Sequence, residues 1–403
     1  MTSALTRRSA LLALTSGISL VTFGDSTLAG TDPVAGRRKL VVIICRGGID
    51  GLALSPPVGD PGYAGLRQQI AFGREQVLAL DGTFGLNPAL ASIHKLARSG
   101  QARIVPAIAT PDRARSHFEA QDVLESGASV VFGTNSGWLN RALEVMGPGT
   151  RVPAMSVGAT APLLLRGKIQ TASWSPGREI DTGDRVPQIL MDLYAEDPLL
   201  GPALASGLQI NDMADHTRSG GGAMAGSASG TPAQAKSRGM GQRVAAFMTQ
   251  DGGPRIVGLS VEGFDTHANQ GTISGNLSTR LGGLDALIDG IQTGLGPAWK
   301  DTVIVVATEF GRTARVNGTG GTDHGTASTA LVLGGSLKAG GIIGDWPTLR
   351  DAALFQNRDL APTLDMRSLF KSILGTQMGV DRRSLDTTVF PDSINAPPIA
   401  DLV

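Results

Sequence analysis

The residues of this chain that could do chemistry gather just after apolar, β-branched runs. The clearest run is Val303-Ile304-Val305-Val306, which reads as a strand buried on both faces of a parallel sheet. Beyond it the chain turns glycine-rich and charged, with Glu309, Arg312, Arg315, Asp323 and His324. A carboxylate at a strand end, followed by Asp-His in a glycine loop, offers the oxygen and imidazole donors a divalent ion needs. The same stretch also reads as a solvated loop in which Glu309 pairs with Arg312. A second cluster, Asp265-Thr266-His267, follows the run Arg255 to Val261 and supplies another carboxylate and imidazole.

Two further runs end in the same way. Lys39 to Cys45 leads into Arg46-Gly47-Gly48-Ile49-Asp50, where glycines allow the backbone to approach a ligand. Asp50 reads either as a turn aspartate bonding its own backbone or as a metal ligand. Ala102 to Ile108 leads into Arg115-Ser116-His117, and Ser116 with Glu119 has the form of a capping box. A hydroxyl at a helix N-terminus faces free N–H groups and the positive end of the dipole, which help to hold an anion. Beside a metal, such a serine could lose its proton and act as a nucleophile. Three of the five histidines, His117, His267 and His324, fall in these clusters. Donors of oxygen and imidazole type without thiolate fit one or two ions of Zn²⁺, Mn²⁺, Ca²⁺ or Mg²⁺.

The elements that must position these groups alternate along the chain. Helical patterns at Pro88 to Arg98, Trp138 to Val145, Ala233 to Gln250, Leu277 to Leu295 and Leu364 to Leu374 separate the strands. Further strands are expected at Val152 to Val157 and Thr329 to Leu333. Strands separated by helices predict an α/β fold, a doubly wound and mostly parallel sheet with helices on both faces. Ligands in such sheets gather beyond the carboxyl ends of the strands, where the clusters stand.

Composition narrows the class. Thirty-five basic and 35 acidic residues cancel, so no basic field argues for nucleic acid. The single cysteine, Cys45, forbids an intramolecular disulfide and reads as a small buried hydrophobe. Thr6-Arg7-Arg8-Ser9, the apolar run Ala10 to Phe23 and the small residues Thr27-Leu28-Ala29 describe a twin-arginine export signal over 1–29. That run is shorter than the roughly 20 residues a membrane span requires. A single domain over 30–403 is expected, outside the cytoplasmic membrane in the periplasm or beyond, with the twin-arginine translocase as its partner during export. Arg218 to Pro232, rich in Gly, Ser and Ala, reads as a mobile surface loop or a lid.

The motifs RGGIDGL, RSHFEAQD, FDTHANQ, TEFGRT and GGTDHG, with the twin-arginine start, closely resemble the exported bacterial proteins called the domain of unknown function 1501 family. That family looks like a distant branch of the alkaline phosphatase and sulfatase superfamily, whose members use a metal pair and a Ser, Thr or modified Cys nucleophile. The resemblance implies an alkaline phosphatase-like fold, with Asp50, Asp265, His267, Glu309 and His324 as metal ligands and Ser116 as nucleophile. This chain departs from the superfamily in two places. It has Asp265-Thr266-His267 where Asp-x-x-x-His is common, and Glu309-Phe310 where Asp-His is common. One histidine ligand is therefore missing unless Asp323 or His117 replaces it. The expected function is hydrolysis of a small phosphate or sulfate ester, with Ser116 and His117 catalytic and Arg46, Arg115 or Arg312 gripping the anion. The alternative is a non-catalytic exported protein that binds metal or a partner of the cell envelope.

Overall fold

A computed structural model describes residues 36–147, 153–158, 161–175, 193–194, 197, 230–338 and 340–403. The export signal expected over 1–29, and the loop expected over 218–232 up to residue 229, lie outside the described residues. Ten strands are described: β1 Lys39–Cys45, β2 Leu78–Ala79, β3 Gly85–Leu86, β4 Ala102–Ala109, β5 Ala154–Val157, β6 Ala172–Trp174, β7 Ile256–Val261, β8 Thr302–Ala307, β9 Ser328–Leu333 and β10 Leu364–Asp365. Eight of them form one sheet in the order β10-β4-β9-β8-β1-β7-β5-β6, and β2 and β3 make a small separate pair.

Every strand of the large sheet is parallel to the rest except β9, which runs antiparallel to both β4 and β8. The reason is local. No helix lies between β8 and β9, and without a crossover the chain can return to its neighbour only in the opposite direction. The apolar runs are continuous because both faces of the sheet are covered. Alternate residues of β1 divide between two cores. Val41, Ile43 and Cys45 pack in the core that contains Ile93, Phe247 and Leu284, on the helices Ala91–Arg98, Pro232–Thr249 and Asn276–Leu295. Leu40, Val42 and Ile44 pack in the core that contains Trp138, Leu139, Phe370 and Leu374, on the helices Trp138–Met146 and Met366–Met378. This is the doubly wound α/β arrangement that the alternation of runs predicts.

Cys45 is buried, and burial, then the nearby Glu309 charge, push its thiol far above the ordinary range. The thiolate is the reactive form. Cys45 should therefore resist alkylation by iodoacetamide in the folded protein and react only once the chain is unfolded; rapid native labelling would show that its end of β1 is open to solvent. Among the described residues, no helix is long and apolar enough to cross a membrane.

Candidate metal centre

The parallel strands β1, β4, β7 and β8 all end at one edge of the sheet, and the antiparallel β9 begins there. Residues that follow β4, β7 and β8 are thus brought to the same place as residues that precede β9. That is why Asp323 and His324, upstream of their strand, join His117, Asp265 and His267, downstream of theirs. Close backbone packing tightens the junction. Gly47 has φ +113°, and a Cβ there would run into the backbone of Phe264 and Asp265. The glycines after β1 thus serve an approach between two chain segments, where the sequence pointed to an approach to a ligand.

Three imidazoles surround one carboxylate. His267 Nε2 lies 3.0 Å from Asp265 Oδ1, His324 Nε2 lies 3.3 Å from the same atom, and His117 Nε2 lies 3.5 Å from Asp265 Oδ2. The Nε2 atoms of His267 and His324 are 3.1 Å apart. The other nitrogen of each ring faces an acceptor. His117 Nδ1 is 2.8 Å from Glu309 Oε1, His324 Nδ1 is 2.9 Å from the Arg115 carbonyl, and His267 Nδ1 is 3.3 Å from Asp323 Oδ1. A carbonyl or ionised carboxylate can only accept, so Nδ1 donates in all three rings, and Nε2 faces Asp265 as a second donor where the ring is protonated and as a lone pair where it is neutral.

The residues present fit a cation. Ligands bonded at about 2.0–2.1 Å in a tetrahedron stand about 3.3 Å apart; one ligand atom each of His117, Asp265 and His324 lies within 4.8 Å of the others, and His267 Nε2 stands beside them, 3.0 Å from Asp265 Oδ1. The Nε2 atoms of His267 and His324, 3.1 Å apart, can share one proton as an N–H···N hydrogen bond or stand on either side of a cation. The outer hydrogen bonds to carboxylate and carbonyl are those that fix metal-ligating histidines. The four side chains are between 26% and 46% exposed, which leaves room for a further ligand, as catalytic sites require and closed structural sites do not.

The charges are tuned to the arrangement. Burial alone would raise the Asp265 carboxyl; the Arg312 hydrogen bond and charge, helped by His267 and His117, outweigh it and hold the group below the usual carboxylate range. Burial lowers His324, with the His117 and Arg312 charges adding to it against the Arg115 carbonyl. The hydrogen bond to Glu309 raises His117 in spite of burial. Glu309 itself, which burial would raise, is held down by His117, backbone N–H groups and Gln121.

Several residues singled out in the sequence stand elsewhere. The Asp50 carboxylate is buried: Oδ1 caps the short helix Gly51–Leu54 at the Leu52 N–H, and Oδ2 accepts from Arg67 and Gln270 Nε2. It is a structural aspartate and does not join the cluster. Glu309, also buried, accepts from Gly47, His117 and Gln121 through Oε1 and from Thr308 through Oε2. It orients His117, and Asp323 does the same for His267, so both belong to the outer hydrogen-bonded ring of the cluster.

The arginines are also committed. Arg312, buried, holds Asp265 Oδ1 at 2.6 Å and is itself fixed by Thr322. Arg115, at φ 58°, binds Asp359 at 2.7 Å and Gln356 at 2.6 Å. Arg46 binds Glu125, Gln121 and Ser260. His117, expected beside Ser116 as a catalytic group, stands with the ligand set. Ser116 occupies the backbone N-cap of His117–Ser126, yet its hydroxyl makes no cap hydrogen bond, so the capping box with Glu119 does not form.

Sequence reasoning did not find Asn317, which binds Asp323 Oδ1 at 3.1 Å, or Gln121 and Gln270. Neutral amides carry no motif of their own. Replacing Glu309 by Gln (Glu309→Gln) should weaken metal binding about 10–100-fold, the usual effect of losing an outer partner of a ligating histidine. Competition with a chromophoric chelator measures it, and an unchanged affinity would remove Glu309 from this role.

Comparison with known proteins gives the following likenesses. A crystal structure of Ps i-CgsB is similar with a TM-score of 0.40 at 10% identity, covering 90% of this chain and 77% of that one. The alkaline phosphatase from the Antarctic bacterium TAB5 is similar with a TM-score of 0.34 at 12% identity, covering 76% of this chain and 94% of that one. The C-terminal periplasmic domain of EcEptC from Escherichia coli, in complex with Zn, is similar with a TM-score of 0.35 at 10% identity, covering 91% and 92%. Among curated proteins none matches the sequence. A family model described as "Protein of unknown function (DUF1501)" matches residues 104–389, a span that contains His117, Asp265, His267, Glu309 and His324, and the chain belongs to that family.

Proposed function

We propose that this protein is an exported, metal-dependent hydrolase of phosphate or sulfate esters with Ser116 as its nucleophile. The observation that supports it is the convergence of the His117, His267 and His324 Nε2 atoms on Asp265, with the serine that precedes His117 making no side-chain cap to its helix. His117, Asp265 and His324 would hold one ion, with His267 beside them. Imidazoles with one carboxylate favour zinc or a similar transition ion over Ca²⁺ and Mg²⁺, which prefer oxygen donors. A bound ion of that kind would lower the pKa of a coordinated hydroxyl or water and offset charge on an ester oxygen.

The chain's own residues do the rest. Ser116 supplies the attacking oxygen at the start of His117–Ser126, where the first-turn N–H groups and the dipole favour an anionic group. Arg312, locked behind Asp265, keeps that carboxylate ionised and fixed in direction. Glu309, Asp323 and the Arg115 carbonyl hold the three rings with Nε2 facing Asp265.

Ser116→Ala should lower turnover of a verified ester substrate by at least about a thousandfold, as expected when a nucleophile is removed, while metal content stays at the wild-type level. A variant with wild-type turnover would rule out Ser116. The second reading, an exported metal- or partner-binding protein without turnover, is favoured by one specific observation. Arg46, Arg115 and Arg312 are each already held by carboxylates. An inert response to a broad ester panel, with metal bound, would select it.

A further inference from the structure

Beside the metal cluster the structure holds an open cavity of about 940 Å³, at the upper end of the roughly 300–1,000 Å³ usual for small-molecule sites. It shares residues with the centre. Gln121 lines it and donates to Glu309 at 3.1 Å, Arg46 lines it and donates to Gln121, and Phe118 on its wall directly follows His117. A ligand seated there lies against the same helix that carries His117 and Ser116.

The lining selects one chemistry. Phe118 is 78% exposed and Phe132 66% exposed, so two phenyl rings stand at the cavity without a partner that covers them. Phe132 has φ 56°, a conformation that costs a bulky residue free energy, and its N–H is held by Asp122 Oδ1 at 2.7 Å. The same cavity is lined by the amides of Gln121 and Asn135 and the carboxylates of Asp122 and Glu262. A purely apolar ligand would take water from the polar atoms of those groups that have no protein partner. A polyanion would meet more carboxylates than free cations, because Arg46 is taken by Glu125 and Glu262 and Arg166 is the remaining cation among the described lining residues. What fits is a neutral group with many hydroxyls and an apolar face.

We propose that this cavity binds one or more neutral glycosyl units, with the rings of Phe118 and Phe132 against their C–H faces and the amides and carboxylates on their hydroxyls. Resting on the hydrolase reading, it is the part of the site that holds the sugar bearing the reacting ester. The test is saturation-transfer NMR and calorimetry on the full chain with maltotriose, cellotriose and chitotriose, using wild type, Asp265→Ala, Phe118→Ala and Phe132→Ala. Binding by wild type and Asp265→Ala alike, weakened at least about tenfold in each phenylalanine variant, is the expected result. No transfer to any of the three saccharides would overturn the proposal, as would binding of wild-type strength in both phenylalanine variants. The two readings fail separately. Saccharide binding without ester turnover sinks the hydrolase and leaves the cavity assignment, and turnover of small esters without saccharide binding does the reverse.

Discussion

Asp265→Ala is expected to reduce metal affinity by more than about a hundredfold, because loss of an outer partner alone costs 10–100-fold and this change removes the carboxylate on which three imidazoles converge. The fold should survive. Asp265 is half exposed, and Arg312 keeps its hydrogen bonds to Thr322 and the Gly47 carbonyl when its carboxylate partner is gone. The readout is thermal. Added zinc should raise the wild-type unfolding midpoint by mass action, since a ligand that binds only the native state stabilises it, and should leave the variant's midpoint unmoved. A variant that is stabilised by zinc as wild type is would place the ion elsewhere.

Asp50→Ala should have the opposite signature. The Asp50–Arg67 pair is fully buried, and Arg67 has further contacts only to the Thr313 and Ala314 carbonyls, with its Nε unpaired. Removing the carboxylate strands a guanidinium away from water, which costs about 3–5 kcal/mol for a buried pair. It also takes from Gln270 its acceptor and from Gly51–Leu54 its cap. Urea unfolding should show a large fall in midpoint, while the molecules that remain folded bind metal with unchanged stoichiometry. If stability holds and metal is lost, Asp50 is a ligand after all and its place in the structure has been misread.

The contrast between these two aspartates shows what was legible in the sequence. Both stand just past an apolar strand, and that position is written in the β-branched runs 40–44 and 256–261. What separates them is a partner. Arg67 reaches Asp50 from 17 residues away and His324 reaches Asp265 from 59 away, and no periodicity records such meetings. The placement of the strands could be read because full burial on two faces demands continuous apolar residues. The direction of β9 could not, because it depends on the missing helix between 307 and 328, which a sequence shows only as a glycine-rich loop. That direction delivers His324 to the cluster. Glu309 meets the same limit: a carboxylate at a strand end looks like a ligand, but its burial and its four hydrogen-bond donors, His117 among them, are set by distant parts of the chain.

The most direct test of this account is metal stoichiometry, by inductively coupled plasma mass spectrometry, on purified protein after incubation with zinc and removal of excess. The group His117, Asp265 and His324 predicts about one equivalent of tightly held transition ion in wild type and in Asp50→Ala, and a marked loss in Asp265→Ala. Retention of none, or of an equal amount in wild type and Asp265→Ala, would contradict it.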